Sequence, residues 1–294
     1  MNRPVAATIS TALPPMQAFP AMRAGAPQRS NADIARDILE LEFRMESGRA
    51  LPVFTRFEGP ITVALAGDVP PSAHADLSRV MARMRSEAGI DIRPAVQQGS
   101  ASVVIDFQPR ASLRRAVPSA ACFVVPRVGS FDEYRASRAS GLTDWTTLNR
   151  RDRVAIIVPS DTAPQEVRDC LHEELAQAIG PLNDLYRLAD SVFNDDNFHT
   201  VLTGFDMLVL RVHYDPALAS GMTEQQVAAR LPAILARLNP SGEGRPATGD
   251  ARIAPRAWVD AMEAALNPRG SDAARIRAAE RMLAIARSQG WQDN

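Results

Sequence analysis

Four short runs of β-branched and other apolar residues predict the strands of a sheet between residues 61 and 159. The runs lie at residues 61–66, 101–107, 121–128 and 154–159 and are separated by helices or turns. Between the first two runs, residues 74–88 carry apolar side chains in helical spacing, which predicts an amphipathic helix. The predicted order is therefore strand, helix and then several strands.

The clearest predicted helix covers residues 164–179. Thr162 can cap its start, Pro164 fits its first turn, and Gly180 followed by Pro181 ends it. Its apolar positions form one stripe that should face the core. These positions are Val167, Leu171, Leu175 and Ala178.

The pattern divides the chain into three parts. Residues 1–29 are rich in Pro, Ala, Met and Gln without periodicity, which is typical of a disordered leader. Residues 30–222 begin with a capping signal at Ser30 and an amphipathic stretch at 34–43, and they hold the predicted strands. Residues 223–294 predict an all-helical C-terminal extension with helices at 223–238, 255–266 and 271–288.

Composition excludes several classes of function. The 33 basic residues, all arginine, almost balance the 34 acidic residues, so the chain lacks the charge excess of a nucleic-acid-binding protein or of one that binds anionic membranes. No apolar run approaches the roughly 20 residues that span a bilayer, so no membrane span is expected. Residues 5–13 make a poor signal peptide, which leaves the chain cytoplasmic, or periplasmic or secreted if an export signal has been removed.

The sequence contains two cysteines, Cys122 and Cys170, and leaves two interpretations of their state open. They could pair in an oxidising compartment, or remain buried thiols that pack like small apolar side chains. Neither has the spacing of a redox or zinc pair.

The candidate chemistry lies at the end of the 164–179 helix, in the run CLHEELAQAIGPLND at residues 170–184. This run resembles the zinc-binding helix of metzincin proteases, in which two histidines one helical turn apart, a glycine and a third histidine surround the metal. Aligned on Gly180, the motif places Glu173, Gln177 and Asn183 at the three ligand positions and Glu174 at the position of the general base. A frame starting at His172 puts alanine at the second ligand position and the glycine one residue late, so the first frame is preferred.

The resemblance continues beyond this helix. Residues 190–193, Asp-Ser-Val-Phe, look like the turn that underlies the metal in matrixins, with Phe193 in place of methionine, and residues 202–214 match the closing helix. Residues 61–216 therefore resemble a matrixin-like zincin domain, which implies an α+β fold with a mixed twisted sheet and an active-site helix. The block HEELAQAIGPLND with DSVFND also resembles an uncharacterised bacterial family of unknown function placed near these proteases.

The donor set predicts that zinc does not bind. Neutral amide oxygens of Gln177 and Asn183 are weak zinc ligands, so no metal and no cofactor is expected, and zinc stays the alternative. A substitute ligand set could come from four other side chains, although a lone helical histidine is more often structural. These side chains are His172, His199, His213 and Asp184.

Two functions follow from the resemblance, and a third class stays open. In the first, the domain is a degenerate, non-catalytic relative that binds a peptide or protein through its cleft and sheet edge. Glu173, Glu174, Gln177 and Asn183 would then form a hydrogen-bonded polar cluster in the cleft. The residues expected to bind the partner are His172, Glu173, Gln177, Asn183 and Asp184. In the second, the chain is an active metal-dependent peptidase with Glu174 as its base. In the third, a structural protein makes its partner contact through the C-terminal helices.

Overall fold

The computed structural model describes residues 29–118, 120–185, 187–188, 190–194, 200–248, 256–266 and 270–288. Residues 1–28 of the predicted leader lie outside the described residues, and so does His199.

Five strands form one mixed sheet, and they appear where apolar, β-branched residues concentrate. They are β1 (Ile61–Gly67), β2 (Ile92–Pro94), β3 (Val103–Gln108), β4 (Phe123–Pro126) and β5 (Val154–Pro159). Their order is β2-β1-β3-β5-β4, and all neighbours are parallel except β4, which pairs with β5 antiparallel and forms one edge. The four predicted strands are confirmed. Strand β2 is an additional strand, and its three residues are too few to give a recognisable pattern in the sequence.

Ten helices surround the sheet within the described part of the chain. In chain order they are α1 (Asn31–Phe43), α2 (Ala73–Ala88), α3 (Arg110–Ala116), α4 (Phe131–Ser137), α5 (Pro164–Ile179), α6 (Gly204–His213), α7 (Glu224–Ala228), α8 (Leu231–Leu238), α9 (Arg256–Leu266) and α10 (Asp272–Ser288). No helix among the described residues is long and apolar enough to cross a membrane.

The main core lies on one face of the sheet. Alternate residues of the strands, such as Val63, Ile105 and Ile156, join the apolar faces of α1, α2, α5 and α6 there, as the two-residue period of a strand requires. On the opposite face, Leu113 of α3 and Phe131 of α4 cover β5 and β4. The molecule therefore combines helices with a mixed sheet covered on both faces, in keeping with the predicted α+β class.

Two local expectations differ from the structure. The residue at the N-cap of α5 is Ala163, and Thr162 instead donates its hydroxyl to Glu166 and accepts a hydrogen bond from Arg110. The single helix predicted at 223–238 is two helices, α7 and α8, because a proline ring at position 232 cannot continue a preceding helical turn.

The four helices after residue 222 differ in what they pack against. Val227 of α7 and Leu231, Ile234 and Leu235 of α8 are buried in the main core against α1 and α6. By contrast, α9 and α10 pack mainly on each other. The domain boundary at 222/223 stays a prediction, and α7 and α8 lie on its C-terminal side.

Candidate functional site

Helix α5 carries the motif residues within and beside its buried stripe. Val167, Leu171, Leu175 and Ala178 are completely buried, as the periodicity predicts. Glu174 lies one turn from both Leu171 and Ala178 and is buried with them, Gln177 is also buried, and Glu173 is half-buried. Buried polar groups need hydrogen-bonding partners, so the environment of each decides what the site can do.

Both amide side chains of the motif are engaged within the protein. Gln177 donates from Nε2 to a carboxylate oxygen of Asp184, 3.0 Å away. Asn183 donates from Nδ2 to the backbone carbonyl of Glu40 on α1, also at 3.0 Å, and its backbone amide donates to the carbonyl of Leu41. The chain segment after α5 is thereby tied to α1, and the structure brings Gln177 and Asp184 together.

Glu174 has a different environment. Its side chain is buried, and no described residue offers a hydrogen bond to its Oε2 atom. Burial raises the pKa of Glu174 well above its usual range, and the negative charges of Glu173 and Glu46 raise it further. Its surroundings therefore favour the uncharged form of the carboxyl group over the charged one.

His172 packs beside the start of the closing helix α6. It accepts a hydrogen bond at Nδ1 from the backbone amide of Leu202, 3.3 Å away. Burial lowers the pKa of His172 to about 3, and the positive charges of Arg83, Arg168 and Arg79 act in the same direction. The ring is neutral at physiological pH and serves as a structural acceptor.

The turn at residues 190–193 is held against α6 by Asp206. One carboxylate oxygen of Asp206 accepts from the Ser191 hydroxyl at 2.5 Å, and the other accepts from the backbone amides of Val192 and Thr203. Thr203 is the N-cap of α6 and completes a capping box with Asp206. The turn and the closing helix that the sequence singles out therefore form one hydrogen-bonded unit, with Phe193 fully buried beneath it.

Sequence reasoning missed a buried polar group behind α5. Glu42 on α1 and His213 on α6 approach to 2.6 Å, and both are buried. Buried Arg151 donates to the carbonyls of Gln177 and Ala178, the last turn of α5. A signal for Glu42 was present, because it continues the four-residue spacing of the core positions Ile34 and Ile38.

The described residues include no group of three or more His, Cys, Asp or Glu side chains placed to hold a metal ion. His172 and His213 are engaged separately, with the Leu202 amide and with Glu42. Burial lowers the pKa of His213, although Glu42 opposes this shift.

The two cysteines lie at disulfide distance. Their sulfur atoms are 2.16 Å apart and their Cα atoms 6.1 Å apart. The bond joins the residue just before β4 to the second turn of α5, so it fixes the motif helix to the edge strand.

Fold and site together define an α+β protein whose mixed sheet ends in an antiparallel edge strand, cross-linked to a helix with several buried polar residues. A family profile described as protein of unknown function, DUF2927, matches residues 31–233, which is most of the chain. The protein belongs to this family. No curated protein and no solved structure matches it.

Proposed function

We propose that this protein is a zincin-like domain without a catalytic metal that binds an extended peptide along β4. The observation that carries the proposal is the outer edge of β4, which pairs with no further strand among the described residues and lies beside the motif helix. The strand, helix, strands and motif helix in this chain order, together with the Asp206-bound turn at residues 190–193, support the zincin-like part.

The donor set does not fit zinc. Gln177 and Asn183 offer neutral amide groups that already donate to Asp184 and to the Glu40 carbonyl. Zinc prefers imidazole, thiolate and carboxylate ligands, so reorienting these amides would break two hydrogen bonds to gain weak ligands. The two amides instead hold the chain segment after α5 in place.

The register of β4 and β5 fixes which backbone groups are available. The backbone N–H of Arg127 donates to the carbonyl of Arg153, so these two residues form a hydrogen-bonded pair. From there, non-hydrogen-bonded and hydrogen-bonded pairs alternate along β4 and β5. Val124, opposite Ile156, therefore directs its N–H and C=O outward and is half-buried, whereas Pro126 also directs its C=O outward but is buried. Among the described residues none bonds to these three groups.

The disulfide places the motif helix beside this edge. Cys170 bonds to Cys122, two residues before Val124. Glu174 follows Cys170 by four residues and thus lies on the same face of α5, one turn along. A peptide on β4 would add a strand to the sheet through main-chain hydrogen bonds, a mode that needs no catalytic group.

Peptide binding is tested with short fluorescein-labelled peptides that alternate Thr with Gln, Glu or Lys, titrated by fluorescence anisotropy. We expect saturable binding that Val124→Pro weakens by about tenfold, because proline removes the outward N–H and crowds the edge. Val124→Ala is the matched control, since it trims the same side chain and keeps the N–H. Equal affinity of both variants, or no saturable binding of any peptide, contradicts the proposal.

Metal analysis of the purified protein separates this function from the peptidase alternative. We expect no stoichiometric zinc and no change in thermal unfolding on adding a chelator. Stoichiometric zinc that is lost in Glu173→Ala or Gln177→Ala would overturn the metal-free site and favour a working hydrolase.

A further inference from the structure

Positive charge is concentrated around the edge strand although the whole chain is nearly neutral. Residues 110–138 contain six arginines and two acidic residues, whereas the complete chain has a net charge of −1. This segment comprises α3, β4 and α4. The two helices pack over β4 and β5, at the β4 side of the sheet.

A groove of about 530 Å³ runs between α3 and α4, and arginines line it. Arg115 extends from α3, and Arg135 and Arg138 lie on α4 and at its C-terminal end. Phe131 forms part of its apolar floor, and Asp132 is the one acidic residue that lines it. The groove therefore combines an apolar base with three guanidinium groups, which suits a ligand carrying carboxylates.

Two of these arginines have no acidic partner in the described structure. Arg115 donates to the Ser112 hydroxyl at 3.0 Å, and Arg138 makes a long contact of 3.4 Å to the Ala116 carbonyl. Each guanidinium has five N–H donors, so these contacts leave most of them available. Arg135 lies 3.7 Å from Asp132 in a pair that is largely exposed and thus weak.

The groove lies on the side of the sheet that a peptide on β4 would also face. Phe123 of β4 packs against Tyr134 of α4 with ring centroids 5.3 Å apart, so α4 covers this strand. Successive side chains of an added strand alternate between the two faces of the sheet. Every second peptide side chain would therefore point to the face that carries α3, α4 and their arginines.

We infer that the groove between α3 and α4 makes the peptide site selective for acidic side chains at alternate positions. This inference rests on the proposed function and names its partner class, an extended acidic peptide. Bidentate pairing of guanidinium with carboxylate supplies the selectivity, and the edge of β4 supplies the register.

The test compares the peptide that alternates Thr with Glu with its Gln and Lys counterparts at low and high salt. We expect the Glu peptide to bind roughly tenfold tighter than the Gln peptide, with the difference shrinking as salt screens the charges. Arg115→Gln and Arg138→Gln should each remove most of this preference and leave the affinity for the Gln peptide unchanged. Arg93→Gln is the matched control, because Arg93 is exposed on β2 at the opposite edge of the sheet.

The outcomes distinguish the two proposals. Equal affinity for the Glu and Gln peptides, both weakened by Val124→Pro, overturns the acidic preference and leaves the edge site standing. Binding of the Glu peptide that depends on Arg115 and Arg138 but is unaffected by Val124→Pro overturns the edge site. A loss in Arg93→Gln equal to that in the groove variants overturns the assignment to the groove.

Discussion

Glu174 is an acidic residue in a place where its charge is unfavourable. Its Oε2 atom has no hydrogen-bond partner among the described residues, and its burial, together with two other glutamates, raises its pKa. A neighbouring position on the same helix, Gln177, is equally buried but has Asp184 as partner. Burial alone therefore does not decide the cost of a polar residue, because the cost depends on the partner.

Glu174→Gln should stabilise the protein at alkaline pH. The pKa of Glu174 is raised on folding, so the unfolded state releases a proton above pH 4.5 that the folded state retains, and stability falls as pH rises. We expect the variant to exceed the wild type by about 1–3 kcal/mol at pH 8 and to match it near pH 4. Urea unfolding across this range measures the difference.

Glu280→Gln, at an exposed position of α10, is the control for loss of one charge. An equal destabilisation by Glu174→Gln at every pH would show that the carboxyl group makes a hydrogen bond needed by the fold.

For single residues, it was easier to predict which polar residues form the site than to predict their hydrogen-bond partners. The sequence placed Glu173, Glu174, Gln177 and Asn183 in one polar cluster, and the structure joins Gln177 to Asp184 and Asn183 to α1. The pairing of Glu42 with His213 joins positions 171 residues apart, and no local pattern reports such a contact. The assigned roles of His172, Glu173, Gln177, Asn183 and Asp184 in binding stay predictions.

A glycine is needed at position 180, at the end of α5, because of packing and not because of its backbone conformation. The φ angle of Gly180 is −127°, outside the left-handed region that favours glycine. A Cβ atom there would lie 2.7 Å from Cδ2 of Leu210 on α6 and 2.8 Å from the carbonyl oxygen of Ala176. The glycine thus lets α6 approach the end of α5 closely.

Gly180→Ala should destabilise the protein by about 1–3 kcal/mol, since the added methyl group overpacks a buried contact between two helices. Thermal or urea unfolding provides the measurement. Gly59→Ala is the matched control, because a Cβ atom at Gly59 meets nothing within 4 Å. Equal stability of the two variants would mean that α6 moves freely to accommodate the methyl group.

Elements with a strong periodic signal were predictable, and elements defined by their neighbours were not. The 164–179 helix has the bounds that its proline, apolar stripe and glycine predict. Strand β2 has only three residues and exists because β1 offers backbone partners to Ile92–Pro94.

The disulfide is the covalent link that acts on the molecule as a whole. It joins the edge strand to the motif helix across 48 residues of sequence and includes β5 within its loop. Cys170 is almost completely buried, so the bond also belongs to the main core. The position of β4 beside α5, on which the proposed peptide site depends, is therefore held by both packing and a covalent bond.

Replacing both cysteines, Cys122→Ala with Cys170→Ala, should lower the free energy of unfolding by about 4 kcal/mol through the greater entropy of the unfolded chain. Urea unfolding of the variant is compared with the wild type before and after treatment with a reducing agent. The reduced wild type should resemble the double variant. A wild type whose unfolding midpoint does not change on reduction would contradict a stabilising cross-link.

The sequence by itself determined the principal strands and helices, the capping of α1 by Ser30 and the membership of a family of unknown function. These features depend on periodicity and local motifs, which are readable along the chain. Tertiary structure alone decided that Cys122 reaches Cys170, that Glu174 lacks a partner at Oε2 while Gln177 has one, and that arginines of α3 and α4 line one groove. The physical reason is that burial, pKa and charge clustering depend on distances between residues far apart in sequence, which only packing sets.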